Sequence, residues 1–161
     1  MEHFGRKVEL DGITFDSKKE ARFYQQFIKP SSKRFTCHEN FDLVSKFSVG
    51  GYTQRGIFYR PDFVIYGSGG REHVYDVKTS LSAQGIDKSA MLRFKLFAKR
   101  YGIPVEVVVP RRNDFKMKLF GFTTVDIQSP HQRKKRNGQV VIDHYDVFSN
   151  IDYDIRKIIG N

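Results

Sequence analysis

The chain has 161 residues, 28 Lys and Arg against 18 Asp and Glu, and a formal charge of +10, so a polyanionic partner is expected, nucleic acid ahead of an anionic membrane because no basic amphipathic helix stands out. Its length suits one domain, residues 1–161, with a core supplied by 15 Phe and eight Tyr. The lone Cys37 excludes an internal disulfide and a zinc-thiolate cluster, and the lack of a long apolar run or leader pattern argues against membrane insertion or secretion and for the cytoplasm.

The first expected element is a helix. Ser17-Lys18-Lys19-Glu20 has the capping-box pattern, a hydroxyl followed three residues later by a carboxylate. Phe23, Tyr24, Phe27 and Ile28 recur at helical spacing, and Pro30 is expected to end the run. Glu20, three and four residues before Phe23 and Tyr24, shares the apolar face, so it either caps its own helix or leans inward as part of a site. Phe41, Leu43 and Phe47 suggest a strand leading into a turn at Gly50-Gly51, after which Ile57-Phe58-Tyr59 is expected to begin the strand that bears Asp62.

The stretch of greatest interest runs from Arg60-Pro61-Asp62-Phe63-Val64-Ile65-Tyr66 through Gly67, Gly69 and Gly70 to His73-Val74-Tyr75-Asp76-Val77-Lys78-Thr79. Two apolar runs joined by a short Ser/Gly segment read as a β-hairpin. Alternation places Asp76 and Lys78 on one face, away from Tyr75 and Val77. If the register brings Asp62 to the same place, two carboxylates and one lysine converge. The structural alternative is a solvated cross-strand ion pair. Clustered carboxylates suit a hard cation such as Mg²⁺, which keeps several waters and polarises phosphate oxygens, and a neighbouring lysine orients a water or offsets negative charge.

Further along, Ala90, Met91, Phe94, Phe97, Ala98 and Tyr101 form one stripe of a helix over about 87–101, stopped by Gly102 and Pro104. Arg93, Lys95, Lys99 and Arg100 take its other faces, the usual pattern of a solvated helix. Val105, Val107, Val108 and Val109 read as a buried strand; reached through a helix, it should pair parallel to the Asp76 strand. Arg111-Arg112 follows Pro110 directly. The run Arg133-Lys134-Lys135-Arg136 lies between the turn signals Ser129-Pro130 and Asn137-Gly138 and reads as an exposed basic loop, either merely solvated or tracking phosphates. Over 146–159 the Ile spacing suggests a final helix that either closes the core or forms a dimer surface. The five histidines, His3, His38, His73, His131 and His144, are scattered without metal-site pairing; His73, close to Asp76 in sequence, reads as structural.

The order of Glu20 on a first helix, Pro61-Asp62 on one strand, Asp76-Val77-Lys78 on the next, then a helix and an apolar strand, resembles the PD-(D/E)XK nuclease superfamily across about residues 12–109, with 110–161 as an extension carrying the basic loop. Within it, Gly12-Ile13-Thr14-Phe15-Asp16-Ser17-Lys18-Lys19-Glu20-Ala21 and Tyr59-Arg60-Pro61-Asp62-Phe63 are similar to segments of small phage-encoded endonucleases, including Holliday junction resolvases. Asp76 stands where Glu is commoner, which shortens its reach. The resemblance implies an α/β, restriction-endonuclease-like core, a mixed central sheet flanked by the two helices. It also implies Mg²⁺-dependent hydrolysis of DNA, with Mn²⁺ able to substitute. Asp62, Asp76, the Val77 carbonyl and Glu20 would form the metal site, and Lys78 would position the water. Candidate DNA contacts are Lys18, Lys19, Arg60 and Thr79 beside these residues, Arg93 and Lys95 on the flanking helix, then Arg111, Arg112, Arg133, Lys134, Lys135 and Arg136. Branched DNA is the implied substrate, and two symmetric cuts would require a homodimer, in the host cytoplasm if the source is a phage. A sequence-specific restriction-type or transposition endonuclease, or a non-catalytic nucleic-acid-binding module, are the alternatives.

Overall fold

Two short strands, β1 (Val8–Leu10) and β2 (Ile13–Phe15), turn over Asp11 and Gly12, both at positive φ, in the conformation that an Asp-Gly pair favours in a tight hairpin. They lead into helix α1 (Lys18–Phe23) of a computed structural model that describes residues 6–160, so His3 and the two ends of the expected 1–161 unit lie outside the described residues. The Ser17 hydroxyl accepts from the Glu20 N–H at 3.1 Å and satisfies one open donor of the first turn. Beyond Phe23 the helix widens into a π turn at Tyr24–Ile28 and tightens into a 3-10 turn at Lys29–Ser31. Pro30 therefore does not end the helical run as expected. It sits in the first turn of a new helical segment, where its missing N–H costs nothing, and Ser32 at φ 56° makes the stop.

The remaining elements are β3 (Arg34–Cys37), β4 (Phe41–Val44), β5 (Phe47–Val49), β6 (Tyr52–Gln54), β7 (Ile57–Tyr59), β8 (Phe63–Gly67), β9 (Gly70–Val77), α2 (Lys88–Tyr101), β10 (Glu106–Pro110), β11 (Phe115–Lys118), β12 (Pro130–Lys134), β13 (Val140–His144), β14 (Asp146–Phe148) and α3 (Ile155–Ile159). The chain is thus mixed α/β. Its principal sheet has six strands in the order β14-β11-β10-β9-β8-β3, antiparallel except for the parallel β9–β10 pair. That parallel pair matches the expected crossover through α2, which Asp87 caps and Gly102 closes at φ 72°. The β8–β9 hairpin pairs Gly67 with Gly70 and Phe63 with Tyr75.

One core extends from Phe15 to Ile155. Phe23 of α1 meets Phe63, Tyr75 and Phe115 with ring centroids 5.0 to 5.9 Å apart. Helix α2 packs on β4 and β7, with Phe94 and Phe97 against Tyr59 at 5.8 and 5.7 Å. Among the described residues no helix is long and apolar enough to cross a membrane.

Three expectations about the connections are corrected. Ile57–Tyr59 does not begin the Asp62 strand; it pairs with β4 in a separate two-stranded ribbon, and the chain breaks at Arg60-Pro61, because Pro61 has no N–H to continue a ladder. Residues 133–136 are a loop only in their second half: Arg133 and Lys134 end β12, which pairs with β13, while Lys135 and Arg136 lie in the exposed turn with Asn137-Gly138, a hairpin signal whose weight the neighbouring charges obscured. The expected helix over 146–159 is confined to Ile155–Ile159. Asn150 accepts from the Asp152 N–H, a local alternative to helix, Asp154 caps α3 by accepting from the Arg156 N–H, and Asp146–Phe148 joins the sheet edge instead. Ile151 and Ile155 are buried, so this segment closes the core.

Candidate functional site

Asp62 lies one residue before β8, beyond the Phe63–Tyr75 pair and therefore across from Asp76. Its backbone is held on both sides: its N–H donates to the Tyr75 carbonyl at 3.0 Å, and its own carbonyl accepts from the His38 N–H at 3.2 Å. Its side chain is fixed as well, since Oδ2 accepts from the Val77 N–H at 2.6 Å. That leaves Oδ1 to face His38 Nε2, 3.9 Å away. Val77 thus enters the site through its N–H.

Asp76 is buried near the end of β9. Its Oδ2 accepts from the Tyr59 hydroxyl at 2.8 Å. Its Oδ1 lies 2.7 Å from Lys78 Nζ, as the alternation of β9 predicts, yet it is sealed from solvent without a hydrogen bond of good geometry. Lys78 itself is anchored through its N–H to the Val108 carbonyl at 2.9 Å, so the parallel neighbour β10 fixes the backbone that presents the ammonium. The solvated ion pair weighed as an alternative does not describe Asp76, which is only 6% exposed.

Glu20 joins from α1, also 6% exposed. Its Oε2 accepts from the Asp16 N–H at 3.2 Å and meets His38 Nε2 at 3.2 Å. The capping box therefore reaches one residue further back than expected, and the carboxylate still leans inward. Asp16, Glu20 and His38 bring three ligand-type atoms within 4.8 Å of one another. His38 is held by backbone at φ 53° directly after β3, and the Arg60 Nε donates to its carbonyl at 3.2 Å.

The electrostatics follow from this crowding. Burial, then the Asp76 and Glu20 charges, push the Asp62 carboxyl well above the usual carboxylate range. Burial raises Glu20 too, partly offset by His38. Burial works against the Lys78 ammonium, but the Asp76, Asp62 and Glu20 carboxylates together outweigh it, and the lysine pKa rises. Burial and Asp76 raise the Tyr59 hydroxyl, which keeps it a donor. Cys37, at the end of β3 beside His38, is pushed up to about 12 by burial and the Glu20 and Asp62 charges, so it stays a thiol. Asp62, Asp76 and Glu20 are oxygen donors of the kind a hard divalent cation takes, but among the described residues the ligand-type atoms that converge within 4.8 Å are those of Asp16, Glu20 and His38, and Asp76 Oδ1 is held by Lys78 at 2.7 Å.

Asp16, His38 and Tyr59 were missed in the sequence. Asp16 and Tyr59 lay within recognised segments without being given a role, and His38 lay in none. His38 reaches Asp62 through the β3–β8 pairing, and Tyr59 reaches Asp76 from a different ribbon, and neither contact has a local signal.

The basic candidates divide. Lys18 and Lys19 open α1 beside Glu20, Arg60 adjoins Asp62, and exposed Thr79 follows Lys78. Arg93 is engaged with the Phe58 carbonyl at 3.0 Å, and Lys95 leans toward Gly121. Arg111 closes its turn on Asp114 at 2.5 and 2.9 Å, whereas the Arg112 carbonyl accepts from Gln26 and its side chain is exposed. Arg133 pairs with Asp143 across the β12–β13 ribbon, while Lys134, Lys135 and Arg136 are exposed. His73 is structural, bonded through Nδ1 to Glu106 at 2.8 Å.

A family model described as "Protein of unknown function (DUF1064)" matches residues 2–120, and the chain belongs to that family. No curated protein and no solved structure matches it.

Proposed function

We propose that this chain, a DUF1064 member over most of its length, is a divalent-cation-dependent DNA endonuclease with a restriction-endonuclease-like core of the PD-(D/E)XK kind. The observation that supports this best is the meeting of Asp62, Asp76 and Lys78 at one end of the β8–β9 hairpin, with Glu20 brought in by α1 and Asp76 Oδ1 buried without a directed hydrogen bond. Asp62, Asp76, the Val77 carbonyl and Glu20 would hold the cation. Bound there, Mg²⁺ or Mn²⁺ would supply charge neutralisation at the scissile phosphate and a more acidic water.

The chain's own residues do the rest. Lys78, kept cationic by Asp76, donates to the attacking water or to a phosphate oxygen and does not abstract a proton. Tyr59 and the Val77 N–H each occupy one oxygen of a carboxylate, which leaves Asp76 Oδ1 toward Lys78 and Asp62 Oδ1 toward His38 as the oxygens that would turn to a cation. His38 ties Glu20 to the site from the far side. Lys18, Lys19 and Arg60, sequence neighbours of Glu20 and Asp62, with exposed Arg112, are the basic groups proposed to grip phosphates, and the +10 charge supports a nucleic-acid substrate.

Branched DNA is the proposed substrate, and paired cuts at a junction would need a homodimer. The test is purified protein with Mg²⁺ on four-way, flapped, single-stranded and linear duplex DNA of shared sequence. Cleavage should concentrate on a branched substrate and vanish in chelator and in Asp76→Ala. Cutting confined to one short base sequence would favour the restriction-type enzyme. Binding of DNA with no cutting under any divalent cation would leave only a binding module.

A further inference from the structure

We propose that the β5–β6 hairpin is a stacking surface for unpaired nucleotides of the DNA that the acidic cluster cuts; this rests on the nuclease reading above. The pairings Phe47 with Gln54 and Val49 with Tyr52 put these four side chains on one face of a two-stranded ribbon. Phe47, Val49 and Tyr52 are 48%, 59% and 80% exposed. An isolated ribbon gains nothing in folding from apolar side chains held out to water, so the surplus needs a partner. Gly50 and Gly51, at φ 58° and 81°, make a slim tip with nothing within 4 Å of either position's missing Cβ, leaving it free to approach another molecule.

Charge identifies the occupant. Residues 43–61 contain Lys46, Arg55 and Arg60 and no acidic residue. Phe47 and Tyr52, with Lys46 and Arg55 as the nearest charges in sequence and Asp42 opposite Phe58 paired with Arg100, match nucleobases followed by phosphates, because every base offers a π-face whatever its sequence. The hairpin is also tied to the site: the β4–β7 ribbon that carries it delivers Tyr59 to Asp76, and the next residue back, Phe58, is a further half-exposed ring. Duplex DNA hides its base faces, so this surface selects an unpaired arm.

The experiment measures binding by the full chain in chelator, so that no strand is cut. One probe is a duplex with a single-stranded arm containing 2-aminopurine, and the other is a fully paired duplex of equal length. Wild type should prefer the armed probe and change its fluorescence by stacking. Tyr52→Ala and Phe47→Ala should each lower affinity for the armed probe by about tenfold and abolish the fluorescence change. Affinity for the paired duplex should move less than about twofold, since phosphate contacts carry it. Tyr52, the most exposed of the three, can be replaced without touching the core. Equal losses on both probes, or none on either, overturn the proposal. So does unchanged DNA binding together with conversion of a dimer to a monomer, which would make this face an interface between copies. If wild type cuts no DNA in Mg²⁺ the nuclease reading fails whatever the binding ratio; cutting with an unchanged ratio sinks only the hairpin's role.

Discussion

Strand β9 carries two buried polar clusters on opposite faces, and they differ in one respect. On the face of His73 and Tyr75, Glu106 is fully satisfied: Oε2 meets His73 Nδ1 at 2.8 Å, and Oε1 accepts from the Tyr153 hydroxyl at 2.7 Å. Tyr75 and Tyr153 join their hydroxyls at 2.7 Å. Both phenols are pushed well above their ordinary range by burial, so they remain donors. On the other face Asp76 shares a small space with Asp62 and Glu20, and one of its oxygens has no directed partner. Burial alone does not tell the clusters apart, since Glu106 is 0% exposed and Asp76 6%. Completeness of pairing does. A saturated network locks the Tyr153 segment onto the sheet, whereas the crowded acidic cluster is where the proposed cation would sit.

Exchanging the damage between the two faces is the strongest way to break this contrast. Glu106→Ala should strip His73 and Tyr153 of their acceptor and cost about 3 kcal/mol of stability, while molecules that remain folded keep their cleavage rate. Asp76→Ala should do the reverse: little change in melting, and cleavage down by on the order of a thousandfold. Thermal melts and single-turnover cleavage on the same preparations measure both. A normal rate in Asp76→Ala, or a lost rate in well-folded Glu106→Ala, would put the chemistry on the wrong face.

Lys78 gives the next largest effect. As a mere partner of Asp76 it would be worth little, because it is one-third exposed. As the group that positions water, its replacement should slow the chemical step by about a hundredfold without weakening DNA binding. Lys78→Met at saturating Mg²⁺ separates these outcomes, and an unchanged rate constant removes Lys78 from the mechanism.

Much of this contrast was legible in the sequence, because it rests on local rules. The hairpin turn, the two-residue period that aligns Asp76 with Lys78, the Ser17–Glu20 cap and the parallel strand after α2 all follow from short-range patterns. What stayed hidden depends on pairing between distant segments. His38 gains its place because β3 adds to the outer edge of β8, and Tyr59 because β7 leaves the main sheet for β4. His73 could be set aside as structural, but its partner Glu106 stood unremarked within a valine run, where a buried acid makes sense only once Tyr153 is brought 47 residues back to it. The β12–β13 ribbon was missed for a different reason: both of its faces are largely exposed, so no apolar alternation marks it.

The pH dependence of stability sharpens the same comparison. A carboxyl whose folded pKa is raised takes up protons on folding, so it opposes stability increasingly as pH rises from the ordinary carboxylate range toward its elevated folded value. In metal-free buffer, wild type should therefore lose stability relative to Asp62→Asn as pH is raised through that window. Below it the two should converge, because a protonated Asp62 and an Asn can both accept from the Val77 N–H. Adding Mg²⁺ should close the gap at neutral pH by restoring the compensating charge. Melting curves of both proteins across pH, with and without the cation, measure this. A gap that widens toward acid would reverse the sign and refute the crowded-carboxylate description.

The smallest effect expected is at Tyr59, where a single hydrogen bond is in question. Its hydroxyl fixes Asp76 Oδ2 at 2.8 Å, and its ring is packed between Phe94 and Phe97 of α2. Tyr59→Phe keeps the ring and removes only the donor, so packing should survive. If Tyr59 orients Asp76 for a cation, affinity for Mn²⁺ should fall by about tenfold, and the cleavage rate should recover at high Mn²⁺, because the carboxylate itself remains. If the bond serves stability alone, melting should drop while cation affinity stays at the wild-type value. A calorimetric titration with Mn²⁺ beside a thermal melt distinguishes the two. The analogous change on the opposite face, Tyr153→Phe, supplies the reference: it removes a donor from Glu106 and should lower melting without touching cation affinity at all.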